Sequence, residues 1–173
     1  MAWRTVVSVL AGVTVASMVA AAEQKIKKED VPAAVLAAVT ARYPKAELRQ
    51  LEQEPSEDGK GIVYEVQVDD AGRITDVIVS PAGKILVEEL TIARAELPEA
   101  VAKGLQASKY GKATVSKVER LTEAGQAEPR YELIVESAGQ THELIFDHAG
   151  VLKEDEKKDK DEDAEDGARR GKK

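Results

Sequence analysis

Carboxylates dominate the chemistry this chain can offer. In the stretches Ile62 to Val68 and Arg130 to Glu136, polar side chains alternate with apolar ones. Glu65, Gln67, Glu132, Glu136 and Glu143 fall on the polar phase, so they are expected to line the outer face of a sheet. Such a face can meet a basic protein surface or attract calcium. It can equally be a solvated face that deters sheet-to-sheet aggregation. Cation binding would need the carboxylates to cluster in space, which spacing along the chain does not reveal.

Other reactive groups assemble into nothing recognisable. His142 and His148 are the two histidines. Six residues of extended strand span about 20 Å, too far for both to hold one zinc ion. Asp159, Asp161 and Asp163 open like an EF-hand loop, but Ala164 and Arg170 stand where that loop needs Gly and Glu. Ser56, Ser80, Ser108, Ser116 and Ser137 lie in no G-x-S-x-G turn. Asp58-Gly59-Lys60-Gly61 lacks the spacing of a phosphate loop. No catalytic residue, metal ligand or cofactor is therefore assigned, and the expected protein is not an enzyme.

The elements that position these groups repeat. Val31-Pro32 and Leu97-Pro98 each open an alanine-rich helical stretch, ending near Tyr43 and Tyr110. Val63-Tyr64-Glu65-Val66 matches Arg130-Tyr131-Glu132-Leu133, and Ser80-Pro81-Ala82-Gly83 matches Asp147-His148-Ala149-Gly150. The offset stays at 66 to 67 residues, the mark of a duplication. Leu36, Val39 and Tyr43 form one apolar stripe, and Leu97, Val101 and Leu105 form the other. Asp30 is expected to cap the first helix.

Strands are expected over Ala46 to Glu54, Ile62 to Val68, Arg73 to Val79 and Lys84 to Leu90 in the first unit. In the second they fall over Lys112 to Leu121, Arg130 to Glu136, Gln140 to Phe146 and Val151 to Lys153. Asp70-Ala71-Gly72 and Ala138-Gly139 read as hairpin turns. The fold class is α+β, in two tandem units, each a helix followed by a four-stranded antiparallel sheet. Tyr43, Tyr64, Tyr110 and Tyr131 occupy equivalent places in the two units, which points to core packing.

Composition bounds the setting. The chain has 173 residues, 43% of them hydrophobic, which excludes both a large multidomain enzyme and a wholly disordered chain. A net charge of −7 argues against nucleic acid as a partner. Cysteine is absent, excluding a disulfide scaffold and a thiolate metal site. Met1 to Ala22 has one early arginine, an apolar run from Val6 to Val19, and Ala20-Ala21-Ala22 before Glu23. That is the anatomy of a secretory signal peptide, with no membrane span expected after cleavage and a periplasmic or secreted destination in a bacterium. Residues 23–94 and 95–152 form the two units. Residues 153–173 are almost wholly charged and are expected to be a disordered tail, acidic over Asp159 to Asp166 and basic from Arg169.

The paired motifs resemble the PepSY-like domain, a group also described as β-lactamase-inhibitor-like. The resemblance rests on Val31-Pro32, Tyr43-Pro44, Tyr64-Glu65-Val66 and Ala82-Gly83. In the second unit it rests on Leu97-Pro98, Tyr110, Tyr131-Glu132-Leu133 and Ala149-Gly150. It implies an exported α+β protein with the architecture of β-lactamase inhibitor proteins, and it brings no catalytic residues. PepSY domains also occur in peptidase propeptides, so the implied partner is another exported protein such as a peptidase. The expected function is a non-catalytic protein-binding module, inhibitory or chaperone-like. The alternative is a sensor of divalent cations or small ligands in the cell envelope, with weak calcium binding.

Overall fold

A computed structural model describes residues 24–56 and 60–158. The expected signal peptide, and the expected tail from residue 159 on, lie outside the described residues.

The first unit begins with strand β1 (Gln24–Lys25) and a 3-10 turn (Lys28–Asp30). Helix α1 (Ala33–Arg42) follows, then β2 (Glu47–Pro55), β3 (Ile62–Asp70), β4 (Arg73–Val79) and β5 (Ile85–Thr91). The second opens with the 3-10 turn Arg94–Glu96 and helix α2 (Glu99–Ala107). It continues through β6 (Thr114–Glu123), β7 (Arg130–Ser137), β8 (Gln140–Asp147) and β9 (Leu152–Lys158). Tandem units are thus present, with β1 as an extra edge piece.

All nine strands form one antiparallel sheet in sequence order. The units are joined where β5 pairs with β6, from Val87 opposite Glu123 to Thr91 opposite Glu119. The duplication extends to irregularities of register. The shift between Leu48 and Gln50 recurs 67 residues later between Val115 and Lys117. That between Ile78 and Val79 recurs between Ile145 and Phe146. Such bulges bend a strand locally and increase its twist.

Paired residues in antiparallel strands share a face. Val66 pairs with Val77, Val77 with Glu88, and Glu88 with Thr122, so α1 and the β6 side of the second core lie on one face. There α1 packs Val35 and Val39 on Tyr64, Val66, Val68, Val77 and Val79. Helix α2 packs Val101 and Leu105 on Val118, Tyr131, Leu133, Leu144 and Phe146. Two apolar cores therefore sit side by side on one sheet face. Among the described residues no helix covers the opposite face.

Three local expectations need correction. Pro32, not Asp30, holds the N-cap position of α1, because Lys28–Asp30 form a 3-10 turn that ends in extended Val31. Helix α2 stops at Ala107, short of Tyr110, where the Ser108 hydroxyl turns back to donate to the Leu105 carbonyl at 2.7 Å. Strand β9 runs to Lys158, past the expected Lys153, because ladder bonds to β8 hold backbone whose side chains are almost all charged.

Both expected hairpins are present, with left-handed Ala71-Gly72 (φ 56° and 88°) and Ala138-Gly139 (φ 52° and 76°), the conformation of tight hairpin turns. Two further glycines are fixed by close approach. A Cβ on Gly83 would lie 2.6 Å from the Ala34 carbonyl oxygen, and one on Gly150 would lie 2.1 Å from that of Ala100. The Ala-Gly turns before β5 and β9 are thereby tucked against the first turn of each helix.

Candidate functional site: the carboxylate face

The face without helices carries the expected acidic residues and more. Glu52 stands opposite Glu65, and Glu119 opposite Glu132. Asp76 stands opposite Glu89, and Glu143 opposite Glu156. These positions are duplicated: 52, 65, 76 and 89 recur at 119, 132, 143 and 156. Each unit therefore contributes one carboxylate from each of four consecutive strands.

Glu65, Gln67, Glu132 and Glu143 all lie on this face, as the alternation implied. They are half-buried rather than freely solvated, while Glu136 is exposed near the end of β7. The sequence reading missed Glu52, Asp76, Glu89 and Glu119. Glu52 and Glu119 are each 1% exposed and Asp76 is 6% exposed. The repeat carried the missing signal, since Glu119 stands one repeat from Glu52, and Asp76 one repeat from Glu143.

Where the units join, the carboxylates converge. One oxygen from each of Glu89, Glu119 and Glu132 lies within 4.8 Å of the others. Thr91 Oγ1 donates to Glu119 Oε1 at 3.1 Å, and Lys117 Nζ lies 2.9 Å from Glu119 Oε2. Around this centre Gln67 Nε2 donates to Asp76 Oδ1 at 2.9 Å, and Lys158 Nζ pairs with Glu143 at 2.7 Å.

Burial beside like charges holds protons on these groups. Burial, then the charges of Glu132 and Glu119, push Glu89 up to about 9. Burial, then Glu143 and Glu119, push Glu132 up to about 8, with Lys117 and Lys158 opposing. Burial also raises Glu119, against the pull of Lys117. An approaching cation would displace protons as well as add attraction. Oxygens bound to one divalent ion at about 2.3–2.6 Å lie up to about 5 Å apart, and the triad's spacing falls within that reach.

A second duplicated network lies on the helix side. Tyr43 Oη donates to Glu88 Oε1, and Arg42 Nε donates to the same oxygen at 2.9 Å. One repeat later Tyr110 Oη donates to Asp155 Oδ1 at 2.7 Å, with Lys109 on Asp155 Oδ2 at 2.8 Å. His142 Nδ1 adds a contact to Tyr110 Oη at 2.8 Å. Burial and Glu88 push the Tyr43 phenol up to about 12. Lys109 holds the Asp155 carboxyl below its usual value. These groups tie the end of each helix to the last strand of its unit, and the four tyrosines serve packing as expected. His148 lies apart, exposed in the turn before β9.

Comparisons with known proteins bear on the fold and the family. The fold is shared with a Bacteroides eggerthii protein described as "putative periplasmic", with TM-score 0.63 at 18% identity over 73% of this chain and 88% of that one. It is also shared with a BLIP-like protein of Bacteroides fragilis, with TM-score 0.59 at 24% identity over 73% and 86%. No curated protein matches the sequence. No helix among the described residues is long and apolar enough to cross a membrane. The family described as "Putative beta-lactamase-inhibitor-like, PepSY-like" matches twice, over residues 17–87 and 85–154. With two tandem matches spanning most of its length, the chain belongs to the PepSY-like family.

Proposed function

We propose that this protein is an exported, periplasmic, non-catalytic binding module that docks another exported protein through the carboxylate face of its sheet. Inhibition or chaperone-like restraint of a peptidase is the role the family resemblance favours. One observation carries the reading. A sheet face without helix cover presents half-buried Ile74, Ile78, Val87 and Ile134 between the carboxylate positions. Apolar side chains supply contact area, and the carboxylates select and steer a basic partner. A sheet fixed by two cores docks with little ordering cost.

The test is charge reversal by face. Glu65→Lys, Glu132→Lys and Glu143→Lys should each weaken retention of an exported partner by about tenfold or more, because each sets a positive charge against a basic partner. Glu99→Lys, on an exposed helix turn, should leave retention unchanged. Equal retention by all four variants would sink the reading.

A second reading follows from the Glu89–Glu119–Glu132 convergence: calcium binding at the centre of the same face. Millimolar calcium should then raise the melting temperature, and the rise should vanish in Glu89→Gln, because a ligand that binds only the folded state stabilises it. A melting temperature indifferent to calcium would remove this reading and leave the first intact.

A further inference from the structure

A basic segment follows the sheet at the end of the sequence. Strand β9 ends at Lys158, whose ammonium lies 2.7 Å from Glu143 Oε2 on the carboxylate face. The sequence then passes through the acidic stretch Asp159 to Asp166 and finishes as Arg169-Arg170-Gly171-Lys172-Lys173. The chain thus leaves β9 at the edge of the carboxylate face.

Distances permit a return. Neighbouring strands lie about 4.8 Å apart, so β6 and β5 are about 14 and 19 Å from β9. Residues 159–168, fully extended, span at most about 33 Å. The basic end can therefore reach Glu132 and Glu89 on the face it left.

We propose that Arg169–Lys173 docks on the carboxylate face of its own chain over β5, β6 and β7, occupying the surface that would otherwise receive a basic partner. The inference rests on the docking reading above and names the first occupant of that site. Charge complementarity selects the segment, whose cations displace the protons held on Glu89 and Glu132 as they dock. Its two arginines are suited to carboxylates, since a guanidinium fork can bond two oxygens at once. The acidic stretch before it is repelled by the same face, so it acts as spacer. A short tether gives the basic end an effective concentration of about a millimolar or more, so contacts too weak between separate molecules suffice within one. An incoming partner must displace the tail, which excludes weakly basic proteins and admits strongly basic ones.

The absence of cysteine makes the test clean. Gly171→Cys in the exported chain takes a single nitroxide label. Amide signals of Glu89, Glu119 and Glu132 should broaden at low salt and recover at about 0.5 M NaCl, where exposed charges are screened. Those of Val101 and Leu105, on the helix side, should not broaden. Broadening confined to β8 and β9, or equal on both faces, overturns the proposal.

A second arm separates this proposal from the reading beneath it. The full exported chain, with Arg169, Arg170, Lys172 and Lys173 all changed to Gln, is titrated with a hexa-arginine peptide. Binding about tenfold tighter than to the unaltered chain supports a competing tail. Equal binding to both chains, with shifts on β5 to β7, overturns tail docking and leaves the docking reading standing. No shift on this face in either chain overturns both.

Discussion

Glu89 and Glu132 hold their protons to about 9 and 8, against an ordinary value of 4.5. Between those limits the unfolded chain has released protons that the folded chain keeps, so stability falls as pH rises from about 4.5 to about 9. Asp155, Asp147 and Asp69 act oppositely: their depressed values stabilise the fold above 3.8, and that gain is lost in more acidic solution. The urea midpoint should therefore decline from pH 5 to pH 8.5. Glu132→Gln should flatten that decline and add about 1–2 kcal/mol at pH 8.5; an unchanged slope would contradict the proton assignment. Tyr110→Phe, which removes the donor to Asp155, should cost about 1–2 kcal/mol by the same measurement. Alternation made Glu65 and Glu132 readable from sequence. It could not place Glu89, because Glu88 and Glu89 are adjacent and face opposite ways, one to Tyr43 and one to the triad. That phase is set by pairing across the β5–β6 junction, which no local pattern encodes.

At the level of elements, helices and hairpins were legible because each follows local rules: proline before the first turn, valines and leucines at helical spacing, Ala-Gly at left-handed positions. The length of β9 was not, since its sequence carries no strand pattern and its order comes from β8. Close approach of turn and helix gives a sharp prediction. A Cβ on Gly104 would lie 2.0 Å from the Gly150 carbonyl oxygen. Gly104→Ala must push the turn before β9 off α2, and a loss of more than about 3 kcal/mol is expected. Gly125→Ala meets no atom within 4 Å and pays only for its positive φ, about 1 kcal/mol. Comparable losses in the two variants would refute the packing argument. Phe146→Ala, fully buried beneath α2, should cost about 3–5 kcal/mol.

The whole molecule is a duplication whose halves share a sheet but not a core. The repeat was legible at an offset of 67; the continuity of the sheet was not, because two separate sheets satisfy the same hydrophobic pattern. Ladder bonds from β5 to β6 should couple the halves into one cooperative transition. Hydrogen exchange in rising urea tests this: peptides from β3–β4 and from β7–β8 should lose protection at the same concentration. Two separated losses would mean the junction transmits little.

That junction also has the geometry of a polymer bond. The last strand of one unit accepts the first strand of the next, a head-to-tail join that could in principle add units without limit. Among the described residues, both edges of the sheet are blunted. At one end β1 covers part of β2 with two residues. At the other, β9 offers Lys153-Glu154-Asp155-Glu156-Lys157-Lys158, a strand on which a second chain would stack charge against charge. The charged strand is a chain terminator built into the sequence. Replacing its outward charges with threonine and valine should raise light scattering as chains add edge to edge.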